Sequence, residues 1–362
     1  MDATTRIAKL REKMSAEQFD AFVARAVSNV TYLSGFDGVW DSEPSSLVLV
    51  TASGVYAITD SRFREAANAA ATDDSIEVIV APASVWTAAA DILQQTGASR
   101  VAVEASLPWS VVEEAGELLS LTVTPVSGWV ESLRVAKDTD EVSKIAVAQE
   151  LTDAAFDHIL GFVREGMSES QIALELEFFM RSQGSEGVAF DPIVASGSNS
   201  ALPHAKPGAR CVQRGDFLKM DFGARSGGYC ADMTRTVVLG VATAQQREIY
   251  DAVLSANLAG IAAVAGGRGG AEIDAAARAV IEDAGYGERF GHGLGHGVGL
   301  DIHEAPGVGP RATGPVPLGS VITIEPGIYI PGLGGVRIED LIVVEGDRAR
   351  VLTRSAKELI EL

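Results

Sequence analysis

The segment Lys219-Met220-Asp221-Phe222-Gly223-Ala224-Arg225-Ser226-Gly227-Gly228-Tyr229-Cys230-Ala231-Asp232 decides how this chain is read. Apolar and polar residues alternate on both sides of a Ser-Gly-Gly turn, the pattern of a β-hairpin. With Ser226 and Gly227 as the loop, Arg225 faces Gly228 and Asp221 faces Asp232. Two carboxylates then share one face, with Cβ atoms roughly 4.5–5.5 Å apart. With Gly227 and Gly228 as the loop they become diagonal neighbours, still on that face. Like charges placed this way are destabilising unless something offsets them, and a divalent cation is the natural counter-charge. The competing reading is a pair of solvated acids, one of them paired with Arg225 or Arg235.

More acids follow downstream. Val321-Ile322-Thr323-Ile324-Glu325-Pro326-Gly327 puts Glu325 at the end of an apolar strand, and Gly335-Val336-Arg337-Ile338-Glu339-Asp340-Leu341 puts Glu339 inside one. At a period of two, Arg337, Glu339 and Leu341 share a face. An acid among Val, Ile and Leu is costly unless it pairs, here with Arg337, or binds a metal. Four of the five histidines, His204, His292, His296 and His303, fall in the same stretch of chain. Between Gly291 and Gly299 every second residue is glycine, which disfavours a helix. Such a run implies backbone brought close to a ligand or to another strand.

Two aspartates, two glutamates and one or two histidines make an oxygen-rich, hard donor set suited to Mn2+, Co2+, Fe2+ or Zn2+. Two cations about 3.5–4 Å apart would neutralise the carboxylates and hold a bridging hydroxide for attack. A single cation leaves too many acids without partners. Other chemistries find no matching pattern. There is no HExxH, no GxGxxG, no Walker A lysine and no GxSxG elbow. Ser196-Gly197-Ser198-Asn199-Ser200 reads as a polar loop.

The chain has 362 residues, 47% hydrophobic and 22% charged, with a formal net charge of −20 spread over both halves. A clustered positive surface is what nucleic-acid binding needs, so that class of partner is excluded. Two cysteines, Cys211 and Cys230, are too few for a disulfide framework. Met1-Asp2-Ala3-Thr4-Thr5-Arg6 leads into a charged amphipathic segment, and no apolar run is long enough to span a membrane. A soluble cytoplasmic protein without a membrane partner is expected.

Along the chain, a helix is expected at 4–18. Short apolar runs at 21–23, 47–50, 55–58, 76–80, 101–103 and 121–126 then alternate with helical stretches near 61–71, 84–96 and 108–119. Gly54 sits where a hairpin turn falls. The polar segment Trp129–Asp140 marks a domain junction, giving an α/β domain at 1–133 and a second domain at 134–362. In the second, helices are expected at about 138–164, from Ser168 to 182, at 243–265 and at 271–284. Ser168 and Gln171 form a capping box, and Gly285 stops the last of these helices. Strands are expected at 217–223, 229–239, 321–324, 328–330, 336–344 and 349–353, an α+β pattern with an antiparallel sheet.

In their order and local contexts, Asp221, Asp232, His296, Glu325 and Glu339 resemble the five metal ligands of the creatinase/methionine aminopeptidase superfamily. The matching motifs are MDFGA, ADMTRT, GHGLGHGVGLDIHE, TIEPGIY and VRIED. Asn29-Val30-Thr31-Tyr32-Leu33-Ser34-Gly35-Phe36 is similar to a segment in the N-terminal domain of the proline-specific branch, the Xaa-Pro aminopeptidases and Xaa-Pro dipeptidases (prolidases). The resemblance implies an α+β pita-bread catalytic domain, a curved antiparallel sheet flanked by helices, after a smaller α/β creatinase-type domain.

It also implies roles. Asp221 would hold one metal, Asp232 and Glu339 would bridge both, and His296 and Glu325 would complete the sphere of the other. Glu325 would shuttle a proton from the attacking water to the leaving proline nitrogen. His204 and His303 would contact substrate and stabilise the tetrahedral intermediate. His292 and Arg337 would stand behind the ligands or on the substrate side, while His158 has no counterpart. Two divalent ions, Mn2+ foremost with Co2+, Zn2+ or Fe2+ as alternatives, short proline-containing peptides and a homodimer complete the expectation. A non-catalytic binding scaffold of the same fold, or a hydrolase of a small non-peptide amide, is the alternative. Creatinase lacks this ligand set, and methionine aminopeptidases generally lack such an N-terminal domain.

Overall fold

The computed structural model describes residues 3–41, 43, 45–72 and 75–362, so Met1 and Asp2 of the leading segment lie outside the described residues. The chain divides into two compact units, Met1–Arg134 and Val135–Leu362. In the first, strands β1 (Ala21–Ala24), β2 (Leu47–Thr51), β3 (Val55–Thr59), β4 (Glu77–Val80), β5 (Val101–Glu104) and β6 (Val123–Val126) form one sheet in the order β4-β3-β2-β1-β5-β6. It is mixed: β1 runs antiparallel to β2 and parallel to β5. Helices α1 (Ala3–Ala16), α2 (Val27–Ser34), α3 (Arg64–Ala70), α4 (Val85–Thr96), α5 (Trp109–Leu119) and α6 (Glu131–Arg134) accompany the strands.

Helix α2 is not announced by apolar periodicity, because polar Asn29, Thr31 and Ser34 lie among its buried residues. Asn29 and Ser34 are satisfied internally, Ser34 by donating to the Val30 carbonyl at 2.7 Å. Asn29 donates to Glu104 at 2.6 Å and to Glu131 at 2.8 Å, and accepts from Arg134 at 2.7 Å.

The second unit carries helices α7 (Thr139–Phe162), α8 (Glu169–Ser182), α9 (Ala244–Ala263) and α10 (Gly270–Asp283). Its strands are β7 (Gly187–Val188), β8 (Ile193–Ser196), β9 (Phe217–Phe222), β10 (Ala224–Ser226), β11 (Tyr229–Cys230), β12 (Met233–Val238), β13 (Gly295–Gly297), β14 (Glu304–Val308), β15 (Val321–Ile324), β16 (Gly327–Ile330), β17 (Gly334–Arg337), β18 (Asp340–Glu345) and β19 (Arg348–Val351). Two sheets carry most of the site: β12-β9-β8, and β14-β13-β15-β18-β19, both antiparallel throughout. The capping box at Ser168 is formed, and Gly285 has φ +83° beyond α10.

Strand β9 is buried on both faces, and its alternation decides what goes where. Leu218, Met220 and Phe222 pack with Phe156 and Ile159 of α7 and Ile172, Leu176 and Met180 of α8. Phe217, Lys219 and Asp221 point the other way. Helices α9 and α10 cover the other sheet through Ile249, Val253, Ile273 and Ala277 against Leu294, Ile322, Ile324 and Ile342.

One open choice is decided and two expectations are corrected. The hairpin loop is Gly227-Gly228, not Ser226-Gly227, for Arg225 pairs with Cys230 and Ser226 with Tyr229. A type I′ hairpin turn needs positive φ at both central positions; Gly227 and Gly228 adopt +56° and +78°, where serine would be strained. Asp221 therefore faces Thr234, and Asp232 is its diagonal neighbour. The runs 229–239 and 336–344 each break in two, leaving Asp232 and Glu339 between strands rather than inside them. Finally, the glycine-rich run contains β13, which was not expected to be a strand. A Cβ on Gly295 would collide with the Thr323 carbonyl, and one on Gly297 with that of Ala305, so these glycines admit the neighbouring strands.

Candidate metal centre and active site

Five elements bring the acids and histidines together. Asp221 comes from β9, Asp232 from the break before β12, His296 from the middle of β13, Glu325 from the turn after β15, and Glu339 from the turn before β18. All five line one cavity of about 290 Å3 with His204, His292, His303 and Arg337. Phe190, Ile193, Pro203 and Ile302 add an apolar side to the same cavity.

The His296 ring is fixed by its own neighbour. Nδ1 lies 3.1 Å from the Gly297 carbonyl oxygen, which can only accept, so Nδ1 carries the proton. Nε2 then offers a lone pair toward Asp232 Oδ2 at 3.5 Å and Glu325 Oε1 at 3.4 Å. Burial lowers the pKa of this imidazole, so the ring stays neutral. A lone pair aimed at two carboxylates calls for a proton or a cation between them. Ligand atoms of Asp232, His296 and Glu339 lie within 4.8 Å of one another. Asp221 Oδ1 is buried without a hydrogen-bond partner among the described residues.

The electrostatics point the same way. Burial, then the charges of Glu339 and Asp221, raises the Asp232 carboxyl well above the usual range. Burial followed by Glu325 and Asp221 does the same to Glu339. Burial raises Glu325 to about 7, with Arg337 opposing the rise. The cluster holds more negative charge than the protein balances. This donor set, oxygen-rich with one imidazole whose other nitrogen donates to a backbone carbonyl, fits divalent metal ions.

Behind the acids lies a hydrogen-bond network centred on Arg337. Its Nη2 donates to Asp221 Oδ2 at 2.5 Å, its Nε to Thr234 Oγ1 at 2.9 Å, and its Nη1 to the Tyr329 hydroxyl at 2.9 Å. Arg337 therefore pairs with Asp221, not with Glu339 on its own strand face. Thr234 Oγ1 in turn donates a hydrogen bond to Glu339 Oε2 at 2.7 Å. His292 Nδ1 lies 2.7 Å from the Gly293 carbonyl and must donate to it, so Nε2 accepts from the Tyr329 hydroxyl at 2.9 Å. Burial and then Arg337 lower His292 to about 4, consistent with that neutral tautomer. Arg278 of α10 holds the backbone here, donating to the carbonyls of Phe290 and His292 at 3.0 and 2.8 Å.

His303 packs edge-on against His296, ring centroids 4.4 Å apart, and burial followed by His296 lowers its pKa. His204 lies on an exposed loop, and its ring has no hydrogen-bond partner among the described residues. His158 stands apart from the cavity, 2.7 Å from Glu175 and stacked on Phe179 at 4.2 Å. Four contributors escaped the sequence reading: Lys219, Thr234, Thr323 and Tyr329. Lys219 was findable, since a period of two puts it on the face of Asp221. Its Nζ donates to the carbonyls of Leu202 at 2.7 Å and Pro203 at 3.3 Å, and sits 5.0 Å from the centre of the Tyr329 ring. Burial, then Arg337, lowers this amine to about 6.

Antiparallel sheets flanked by paired helices, with four carboxylates and an imidazole converging in a cleft, define a metal-dependent hydrolase of pita-bread architecture. Residues 143–346 match metallopeptidase family M24, and residues 6–136 match the creatinase/prolidase N-terminal domain. The chain belongs to metallopeptidase family M24. It is similar to the solved structure of the Xaa-Pro dipeptidase from Bacillus anthracis, with TM-score 0.95 and 40% identity over 100% of both chains. The X-Pro aminopeptidase from Thermotoga maritima is also similar, with TM-score 0.87 and 34% identity over 95% of this chain and 98% of that one. Among curated relatives, the Xaa-Pro dipeptidase of Pyrococcus furiosus is 40% identical over 75% of this chain and 77% of its own length. Among the described residues, no helix is long and apolar enough to cross a membrane.

Proposed function

We propose that this metallopeptidase hydrolyses the imido bond before proline, in Xaa-Pro dipeptides or at the N-terminus of short proline-containing peptides. One observation carries the reading: in a family M24 chain, the His296 lone pair and the Asp232 and Glu325 carboxylates point at one another across a cleft. The preference for proline rests on the relatives, which include both Xaa-Pro dipeptidases and an X-Pro aminopeptidase.

Asp221, Asp232, His296, Glu325 and Glu339 are the proposed ligands of two divalent ions, with Mn2+ foremost and Co2+, Zn2+ or Fe2+ as alternatives. Such ions supply Lewis acidity and a nucleophilic water at neutral pH. The rest falls to side chains. Glu325 takes a proton from the attacking water and returns it to the departing prolyl nitrogen. His204 and His303 border the cavity from separate loops and donate to the substrate carbonyl oxygen as charge gathers on it. His292 and Arg337 face the substrate from the Tyr329 side, and the apolar residues Phe190, Ile193 and Ile302 offer a wall for a prolyl ring.

The reading extends to residues 1–133 as a creatinase-like domain, residues 134–362 as the catalytic domain, and a homodimer in the cytoplasm. The test is cleavage of Xaa-Pro, Xaa-Pro-Yaa and Xaa-Ala peptides by protein stripped of metal and reloaded with Mn2+. Metal-dependent cleavage confined to the first two supports it. A reloaded protein inert toward all three, or one that favours Xaa-Ala, overturns it.

A further inference from the structure

His204 sits in an irregular, exposed stretch of chain between a short 3-10 helix at Gly197–Ala201 and strand β9. A substrate-contacting group on such a loop needs a fixed backbone, because loops hold geometry less well than helices or strands. The Leu202 N–H donates back to the Asn199 carbonyl at 2.9 Å, within the 3-10 turn. Pro203 has no N–H to offer, so the link from this segment to β9 and β17 runs through carbonyl oxygens. Two buried cations take them. Lys219 Nζ donates to Leu202 O at 2.7 Å and to Pro203 O at 3.3 Å, and Arg337 Nη1 donates to Pro203 O at 3.3 Å.

Lys219 is fully buried, at 0% exposure, and makes no ion pair among the described residues. Burying an amine without a carboxylate costs stability that an apolar residue of similar length would not incur. Lys219 does not line the cavity, so direct contact with substrate does not account for it. What it touches is the His204 loop. It reaches that loop from the same face of β9 as Asp221, two residues on. An ammonium has three donors and a neutral amine two, so the anchorage survives in either protonation state.

We propose that Lys219 is a positioning residue that ties the Leu202-Pro203 backbone to the strand carrying Asp221, and so aims His204 into the cavity. The inference rests on the proposed peptidase reading. Its test is a double-mutant cycle on the Mn2+-loaded enzyme with an Xaa-Pro dipeptide, combining Lys219→Met with His204→Ala. Lys219→Met lowers kcat by about 10- to 100-fold, with a smaller change in KM and undiminished bound metal. In the His204→Ala background the same substitution removes less than about twofold more. Losses that multiply, or an unchanged kcat in Lys219→Met, overturn the proposal.

If Lys219→Met does not fold, Lys219→Gln takes its place in the cycle, its amide keeping two N–H donors at shorter reach. Amide hydrogen exchange over residues 199–206 gives a readout independent of turnover. Exchange there rises in the Lys219 variant and stays unchanged over β15, whereas wild-type protection of the loop overturns the proposal. A wild-type enzyme inert toward Xaa-Pro peptides counts against the peptidase reading instead, and leaves the exchange experiment to decide the anchorage.

Discussion

The backbone N–H of His296 donates to Thr323 Oγ1 at 3.1 Å, and the same hydroxyl donates to Glu325 Oε1 at 3.2 Å. One buried hydroxyl thus sets the spacing between an imidazole on β13 and a carboxylate beyond β15. Thr323→Val keeps the shape and removes both bonds. It leaves the His296 amide unsatisfied, at a cost of about 1–3 kcal/mol. With Glu325 no longer oriented, metal affinity falls by about 10- to 100-fold. Thermal unfolding of the stripped protein reads the first effect and metal titration the second; unchanged metal affinity would show that Thr323 only packs.

Arg337 is the other organiser. Its guanidinium is buried and serves Asp221, Thr234, Tyr329 and Pro203 together. Removing one partner of a buried ion pair costs about 3–5 kcal/mol, because the remaining charge is left uncompensated. Arg337→Met therefore destabilises the metal-stripped protein by that order. Arg337→Lys recovers only part of it, since an ammonium cannot reproduce the planar fork of bonds. Denaturant unfolding of both variants checks this order, and equal stability of the two would contradict it.

Ligand and substrate groups separate by what they lose. Asp232→Asn and Glu339→Gln abolish activity together with metal binding, because each removes a charge from the cluster. His303→Ala impairs turnover far more than metal content, because its ring packs beside His296 rather than among the carboxylates. Metal analysis by mass spectrometry on the same samples used for kinetics makes the distinction. An equal loss of metal in His303→Ala would place that histidine among the ligands.

What the sequence made legible follows from how local each signal is. The Asp221 hairpin could be read because alternation and a Gly-Gly turn are encoded in adjacent residues. The choice between its two registers was open because Ser226-Gly227 and Gly227-Gly228 are both turn-formers; the backbone angles decide for the second. Strand β13 was hidden because glycines that admit neighbouring strands remove the apolar alternation that marks a strand. Helix α2 was hidden for a related reason: its buried Asn29 finds partners 75 to 105 residues away. Similar distances hid Thr234, whose partners Arg337 and Glu339 lie 103 and 105 residues on, while Tyr329 was hidden because its partners come from other elements. The ligand candidates were visible because acids in apolar strands are conspicuous wherever they end up.

The acids also make a pH dependence that metal should reverse. In an unfolded chain their carboxyl groups titrate at about 4. In the folded, metal-stripped protein burial raises Glu325 to about 7, and burial with neighbouring charge raises Asp232 and Glu339 as well. Between these limits the folded state binds more protons than the unfolded state. The stability these groups contribute is then complete below about pH 4 and is lost as pH rises through their folded-state values, about 7 for Glu325. In the same metal-stripped protein His292 has the opposite sign: lowered to about 4, it contributes stability above its unfolded pKa of about 6.5 that is lost as pH falls. A divalent ion displaces the protons from the acids and restores their attraction to the folded state, so its stabilising effect grows with pH. The gap in Tm between loaded and stripped protein therefore widens from about pH 5 to about pH 8, and metal binding in weak buffer releases protons. A gap that stays constant or narrows over that range would mean that the four carboxylates do not act together on the ion.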